Sequence, residues 1–369
     1  MDLRTCLCVT RDERWGRSYE SYGEDPALVT ALAGVSITGL QGNDPTDISG
    51  PNEVLATAKY WVGDGGTTYN PALAGSGYPI DQGITNVASE AELEQLFVDP
   101  YRPAIEAGVG TIMPSYSAVS IAGADPVRMH ENTDLNTDLL KNELGFKGFL
   151  ISDWEGIDKL SGDSYADKAV RAVNSGLDMA MAPYNYEAFI TAVIGAAGPG
   201  IPQTRIDDAV RRILNEKFEA GLFDHPFAGR SHIDDFGSDD HRDIARQAAA
   251  ESQVLLKNDG VLPLSSSATV TITGSNANNL GHQMGWLVDF LAGRIREHHN
   301  RNHHRAGHHR CRDQRWRPGG GRRRDRRGHQ HRRGGRKAIR RGRWGCRNQW
   351  LQHATELVGS GCDRCRLPR

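Results

Sequence analysis

The sequence predicts an α/β protein built on a parallel sheet, a partial TIM-like (β/α) barrel, and three observations carry that prediction. Helical and strand-like periods alternate from residue 27 to residue 289, with short loops between them. Polar side chains stand just past the ends of the strand-like runs: Lys59 and Asp64, Tyr116, Asp153 and Trp154, and Asp178. In a parallel barrel the loops after the strands share one rim, and that rim bears the chemistry. The third observation is negative. A Rossmann-type sheet is the competing architecture, but GDGGT (63–67) lacks the dinucleotide-binding glycine spacing and no P-loop motif occurs.

Each element has a local reason. Asp25 followed by Pro26 is a cap and first-turn pair that opens a helix through about Leu40. Residues Glu53 to Trp61 read as a short buried strand ending in the glycine-rich turn. A helix over 89–107 leads to the strand Val109 to Pro114, and a helix from Asn132 to Leu144 closes on Gly145. The strand Gly148 to Ser152 (GFLIS) stops at Asp153. A helix near 164–175, a strand from Leu177 to Ala182 and helices near 185–196 and 204–220 continue the cycle. Residues 221–240, rich in Pro, Gly, Ser and Asp, form a linker. Beyond it a helix from His241 to Lys257, the turn NDGVLPL and a strand from Thr269 to Thr273 open a second α/β unit, the start of a sandwich domain, over 241–285.

The net charge of -2 conceals two opposed stretches. Residues 286–369 hold 24 of the 44 Lys and Arg but six of the 46 Asp and Glu, which leaves 20 basic against 40 acidic residues in 1–285. An acidic excess scattered along the body is the surface expected of a protein from a high-salt cell, with an ordinary acidic protein as the alternative. No run of about 18 apolar residues is present, which excludes a membrane-spanning helix. The first residues lack the regions of a secretory signal, and the compartment stays open. The six cysteines lie at 6 and 8 and at 311, 346, 362 and 365, so a disulfide framework for the body is excluded.

Five motifs occur in one order: RDERWGRSYESYGEDP (11–26), AKYWVGDGGT (58–67), GTIMPSYS (110–117), LGFKGFLISDWEGI (144–157) and ESQVLLKNDGVLPL (251–264). Together they resemble glycoside hydrolase family 3, the β-glucosidase and exo-β-glucanase type, over about 9–285. The resemblance implies a retaining O-glycosyl hydrolase acting on β-linked glucosides or oligosaccharides, with a TIM-like N-terminal domain and no metal or organic cofactor. It makes Asp153 of the SDW motif the nucleophile, and it makes Arg17, Lys59, Tyr60, Tyr116 and Trp154 the substrate-binding residues. The chemistry agrees, because a retaining glycosidase needs an ionised carboxylate under the anomeric carbon and a second carboxyl as acid and then base. Trp154 offers a flat apolar wall to a sugar. Without the resemblance, a strand-end Asp is equally well read as a helix cap, and Arg17 as the partner of Glu20 three residues on.

Two departures from the family pattern stand out. Tyr60 occupies the place of a usual His, and AVSIAGADPVRMHEN (118–132) replaces a short turn after Tyr116. The carboxylates Glu13, Glu20, Glu24, Asp64 and Asp178 lie near the expected rim, yet none matches the family's acid/base, which comes from the second domain and is absent from this reading frame.

The stretch 286–369 is dominated by Arg, Gly and His, a composition that supplies no packed core and predicts disorder. Taken as it stands, RRRDRR and HRRGGRK form a nucleic-acid arm on a non-catalytic carbohydrate-binding half-barrel, and Cys362 with Cys365 hints at zinc. The genetic code offers another reading. Permitted codons for 297–305, read one base later, encode Ser-Thr-Thr-Thr-Gly-Thr-Thr-Ile, which resembles a segment of the family's second domain. The same shift from Trp286 gives a GWWTSWQG-like run, and one applied to residues 1–6 gives Trp-Thr-Phe-Ala-Pro, a strand found just before the RWGR motif. Residues 1–8 and 286–369 are therefore expected to be out-of-frame translation, 9–220 the barrel domain, and no nucleic-acid or membrane partner is expected. A half-barrel of about five strands would expose strand edges and apolar faces.

Overall fold

The computed structural model describes residues 1–274 and 277, apart from 77, 78, 81, 228 and 231. The expectations for 286–369, including the Cys362 and Cys365 pair, lie outside the described residues. The chain divides into two units, Met1–Glu251 and Ser252–Arg369.

In the first unit a four-stranded parallel sheet carries the strands β1 (Thr5–Cys6), β2 (Thr57–Trp61), β4 (Thr111–Pro114) and β7 (Phe149–Leu150), side by side in chain order. A further parallel bridge joins Ile151 to Met179. Strands that neighbour one another in sequence order, with a helix in each crossover, are the repeat of a β/α barrel. The α/β class and the parallel sheet are as the sequence predicts, while the strand expected over Leu177 to Ala182 is reduced to this one bridge.

Both faces of the sheet are buried, and the strands alternate between them. Leu7, Val9, Ala58, Ile112 and Leu150 face an outer core shared with the helices, including Val29, Ala33 and Ile37 of α1 (Pro26–Gln41). Cys6, Cys8, Tyr60, Met113, Phe149 and Ile151 face an inner cluster with Trp15. A period of two with both sides apolar is the pattern of a doubly covered parallel sheet. Each of the largest buried side chains removes enough apolar area to contribute ~2 kcal/mol. Helix α1 begins where the sequence says, with Asp25 accepting from the Ala27 amide at 2.9 Å and Pro26 in the first turn.

The helix expected over 89–107 is a relay of four pieces: α2 (Glu90–Leu93), a π turn (Glu94–Val98), a 3-10 turn (Asp99–Tyr101) and α3 (Arg102–Glu106). Pro100 and Pro103 explain the breaks, since each lacks an amide hydrogen and crowds the preceding turn. The helix before β7 is a π-helix, Asp134–Glu143, and α4 (Tyr165–Asn174), α5 (Tyr186–Ala196) and α6 (Gln203–Glu219) follow close to their expected bounds. Helix α7 (Asp239–Glu251) ends short of Lys257 and belongs to the first unit.

Sequence reading missed a second sheet. Here β3 (Ile84–Val87) runs parallel to β5 (Ala118–Ile121), and β5 pairs antiparallel with β6 (Val127–Arg128). The residues that depart from the family pattern after Tyr116 thus form a strand pair that leads back to the rim.

Residues 1–8, set aside on codon grounds, include β1, which pairs with β2 in register Thr5 to Ala58, and Cys6 and Cys8 are joined by a disulfide. In the second unit, Thr269–Thr273 forms no strand; the segment is exposed and makes no ladder among the described residues. Val210, Leu214 and Phe218 stand exposed along one stripe of α6, and Ile190 and Ile194 along α5. No helix of the described residues is long and apolar enough to cross a membrane.

Candidate active site

The C-terminal ends of β2, β4 and β7 gather Lys59, Tyr60, Tyr116, Asp153 and Trp154, and the loop after β1 brings Arg17 to them. That loop is held by short backbone bonds: Arg11 donates to the Gly65 carbonyl at 2.8 Å and Thr10 to the Gly23 carbonyl at 3.1 Å. Gly65, at φ +87°, allows the approach, because a Cβ there would come within 2.8 Å of the Val9 carbonyl oxygen. Trp15, 2% exposed, anchors the same loop in the inner cluster.

Asp153 is 8% exposed. Its Oδ1 accepts the Trp154 amide at 2.6 Å, while Oδ2 is buried and receives no hydrogen bond from the described residues. Burial pushes this carboxyl above the ordinary aspartate range, and the Trp154 amide, the Tyr116 hydroxyl, Arg17 and Lys59 pull it back. Leaving one oxygen of a buried carboxylate unsatisfied costs stability, about 1–3 kcal/mol. An unsatisfied buried carboxylate oxygen of this kind is a candidate for contact with a ligand.

Three side chains form an ion cluster beside it. Arg17 grips Glu20 with two of its three guanidinium nitrogens, Nε to Oε1 at 2.6 Å and Nη2 to Oε2 at 3.0 Å, and Lys59 Nζ meets Glu20 Oε2 at 2.8 Å. Both cations also sit over the Tyr60 ring, at 4.6 Å for the Arg17 guanidinium carbon and 4.9 Å for Lys59 Nζ. Burial raises the Glu20 carboxyl, but Arg17 and Lys59 outweigh it and hold the group below the usual range. Burial pushes the Tyr60 phenol up against the pull of Arg17, so Tyr60 stays neutral and can donate. The local Arg17–Glu20 pair left open by the sequence is present, and it does not remove Arg17 from the site. Glu20, noted from sequence as one rim carboxylate among several, is the hub of the cluster; its spacing from Arg17 was the signal.

Tyr116 donates its hydroxyl to the Trp154 carbonyl. Trp154 is 47% exposed and meets Tyr184 edge to face at 5.8 Å. Exposure of an indole next to a buried carboxylate leaves a free apolar face, as a sugar platform requires. Asp64 is buried near Tyr60, whereas Glu13 and Glu24 are exposed.

Asp178 is not at the rim. It begins its segment rather than ending it, its side chain is 0% exposed, and it pairs with Lys141 at 2.8 Å and with Arg205 while accepting the Leu150 amide at 2.8 Å. It belongs to a buried network at the other end of the sheet, completed by Asp208 and Arg212. Sequence reasoning missed His130, which is buried and accepts the Asp153 amide on Nε2 at 3.0 Å. Among the described residues no group of three or more His, Cys, Asp or Glu could hold a metal ion.

The rim of the parallel sheet thus presents a buried carboxylate beside an arginine, a lysine, a tyrosine and an open indole. Residues 1–216 match the model of the glycosyl hydrolase family 3 N terminal domain, and the chain belongs to that family. Its curated relatives include a β-xylosidase of Formosa agariphila, 33% identical over 285 residues, or 72% of this chain and 37% of that protein. A periplasmic β-glucosidase of Salmonella typhimurium is 32% identical, over 75% of this chain and 35% of its own length. Among solved structures, an exo-1,3/1,4-β-glucanase from a Pseudoalteromonas species superposes with a TM-score of 0.67 at 37% identity, covering 77% of this chain and 34% of that one. The chain thus spans about a third of the length of the curated relatives it matches.

Proposed function

We propose that this chain carries the nucleophile half of a retaining β-glycosidase, with Asp153 as the nucleophile and β-linked glucosides as the substrate class. The observation that carries the reading is the unpaired, buried Oδ2 of Asp153 at the end of β7. In the reaction, Oδ2 attacks the anomeric carbon, the bond from that carbon to the leaving oxygen breaks, and a glycosyl ester forms on Asp153. Water then attacks the same carbon, gives its proton to a general base and releases the carboxylate. Arg17, Lys59 and Tyr60 bind sugar hydroxyls, Tyr116 fixes the Asp153–Trp154 turn, and Trp154 stacks on the ring. The names of relatives support the sugar class: β-glucosidases recur, and the Listeria innocua enzyme was solved with glucose and with gluconolactone. In the family pattern the acid/base belongs to the second domain, and no carboxyl of this chain is assigned that role.

An activated substrate removes the need for that acid, because an acidic phenol leaves without a proton. The test is incubation of the full chain with an aryl β-glucoside of this kind, fluorinated next to the anomeric carbon so that the ester accumulates. The reading predicts one equivalent of phenolate per chain from the unmodified protein and none from Asp153→Asn. Equal release from both would refute it.

A further inference from the structure

The segments after β4 and β7 bring Tyr116 and Asp153 against one buried imidazole. His130 sits on the 3-10 turn Met129–Glu131 that follows β6, and it is 2% exposed. Its Nε2 accepts the Asp153 amide at 3.0 Å. A neutral imidazole that accepts on one nitrogen carries its proton on the other, so Nδ1 is the donor. The Ser115 carbonyl, one residue before Tyr116, is the backbone group that stabilises that proton. The ring also stacks on Tyr116, with centroids 5.9 Å apart and planes 30° apart. Behind it the His130 carbonyl accepts the Ser175 hydroxyl at 3.1 Å, which ties the turn to the end of α4. At the same Nε2 edge Gly156 makes room, since a Cβ there would lie 2.2 Å from His130 Nε2. The imidazole thus touches the Ser115–Tyr116 segment after β4 and the Asp153–Gly156 segment after β7.

We infer that His130 is a positioning residue, a neutral clamp whose Nε2 fixes the Asp153 backbone and whose ring fixes Tyr116, so that Oδ2 of Asp153 is aimed at the anomeric carbon. The inference rests on the assignment of Asp153 as nucleophile for its catalytic part, but its structural part stands alone. Burial keeps the imidazole uncharged, with its pKa pushed down to about 4 and Arg128 adding to the effect. A charged ring would present a second donor to the Asp153 amide and lose the bond. Neither the acid/base nor substrate contact is assigned to His130; its effect passes through Asp153.

Two substitutions separate clamp from filler. In His130→Gln the amide can accept from Asp153 and donate to Ser115; in His130→Phe the ring volume and the stack remain but both hydrogen bonds go. With the fluorinated aryl β-glucoside on the full chain, His130→Phe should label about 100-fold more slowly at saturation, with a saturation constant within about threefold of the unmodified chain. His130→Gln should recover to within about tenfold. Equal labelling rates in His130→Phe and the unmodified chain overturn the catalytic part, while absence of labelling in the unmodified chain refutes the Asp153 assignment instead. The clamp itself is read without turnover, by hydrogen exchange at the Asp153 amide and by the nitrogen-15 shifts of His130, identified by their loss in His130→Gln. Slow exchange with an Nδ1-protonated ring supports it, and fast exchange or an Nε2-protonated ring overturns it even if His130→Phe fails to fold.

Discussion

The two ends of the sheet hold charged clusters of similar composition and opposite design. At the end where β7 begins, Asp178 is wholly buried and every charge has a partner: Lys141, Arg205, Asp208 and Arg212 interlock, and Arg212 also donates to the carbonyls of Phe146 and Gly148. At the other end, Arg17, Lys59 and Glu20 satisfy one another while Asp153, on which Arg17 and Lys59 act, keeps a buried oxygen without a hydrogen bond from the described residues. Both clusters cost desolvation energy. One recovers it in the fold; the other leaves a carboxylate oxygen unpaired among the described residues, as the proposed nucleophile role requires. The two clusters thus differ in saturation: the Asp178 network is fully paired, and Asp153 keeps Oδ2 without a hydrogen bond among the described residues.

Substitutions can break this contrast in a graded way. The largest effect is Asp153→Asn, which should slow formation of the glycosyl ester by at least about a thousandfold while leaving thermal stability unchanged or raised by about 1 kcal/mol; phenolate release and a melting curve read the two quantities. Asp178→Asn should do the reverse. Removing one partner from a saturated buried network costs about 3–5 kcal/mol, and the fraction that remains folded should label at the normal rate.

Glu216 sharpens the comparison through pH. Burial, reinforced by Glu219, raises its carboxyl to about 8, so the folded chain keeps a proton that the unfolded chain loses near the ordinary value of 4.5. Between those values stability falls as pH rises. Glu216→Gln should therefore gain ~2–4 kcal/mol near pH 8.5 and close to nothing below pH 4, measured by denaturant unfolding at both.

Smaller effects are expected at the open side of the site. Trp154→Ala should raise the saturation constant for an aryl glucoside about tenfold and alter stability by less than about 0.5 kcal/mol, because the indole is nearly half exposed. Lys59→Met removes one of the cations that lower the Asp153 carboxyl. The acidic limb of the labelling rate should move to higher pH by up to about one unit. A limb that stays in place would show that Lys59 serves Glu20 alone.

Much of the barrel was legible because its signals are local. Asp25 and Pro26 start a helix wherever they stand, and the continuous apolar runs around Ile112 and Leu150 reflect strands covered on both faces. The second sheet escaped notice because β3, β5 and β6 are short, and the pairing of β3 with β5 joins residues more than thirty apart, information no window contains. The break-up of the helix around Pro100 and Pro103 was visible in principle. For the site, the motifs supplied Arg17, Lys59, Tyr60, Tyr116, Asp153 and Trp154, and the structure brings all six to one rim. Asp178 was misplaced because a residue at the start of a strand and one at its end look alike in sequence. His130 was missed because its role is set by a backbone amide 23 residues away, and nothing in MHEN announces it.

Peptide mapping of the trapped glycosyl ester tests the central claim most directly. After reaction of the full chain with the fluorinated aryl β-glucoside, proteolysis and mass spectrometry should place one sugar on Asp153 within the segment ISDWEGI. A sugar on Glu20 or Asp64, or no adduct on a chain shown to be folded, would contradict the account.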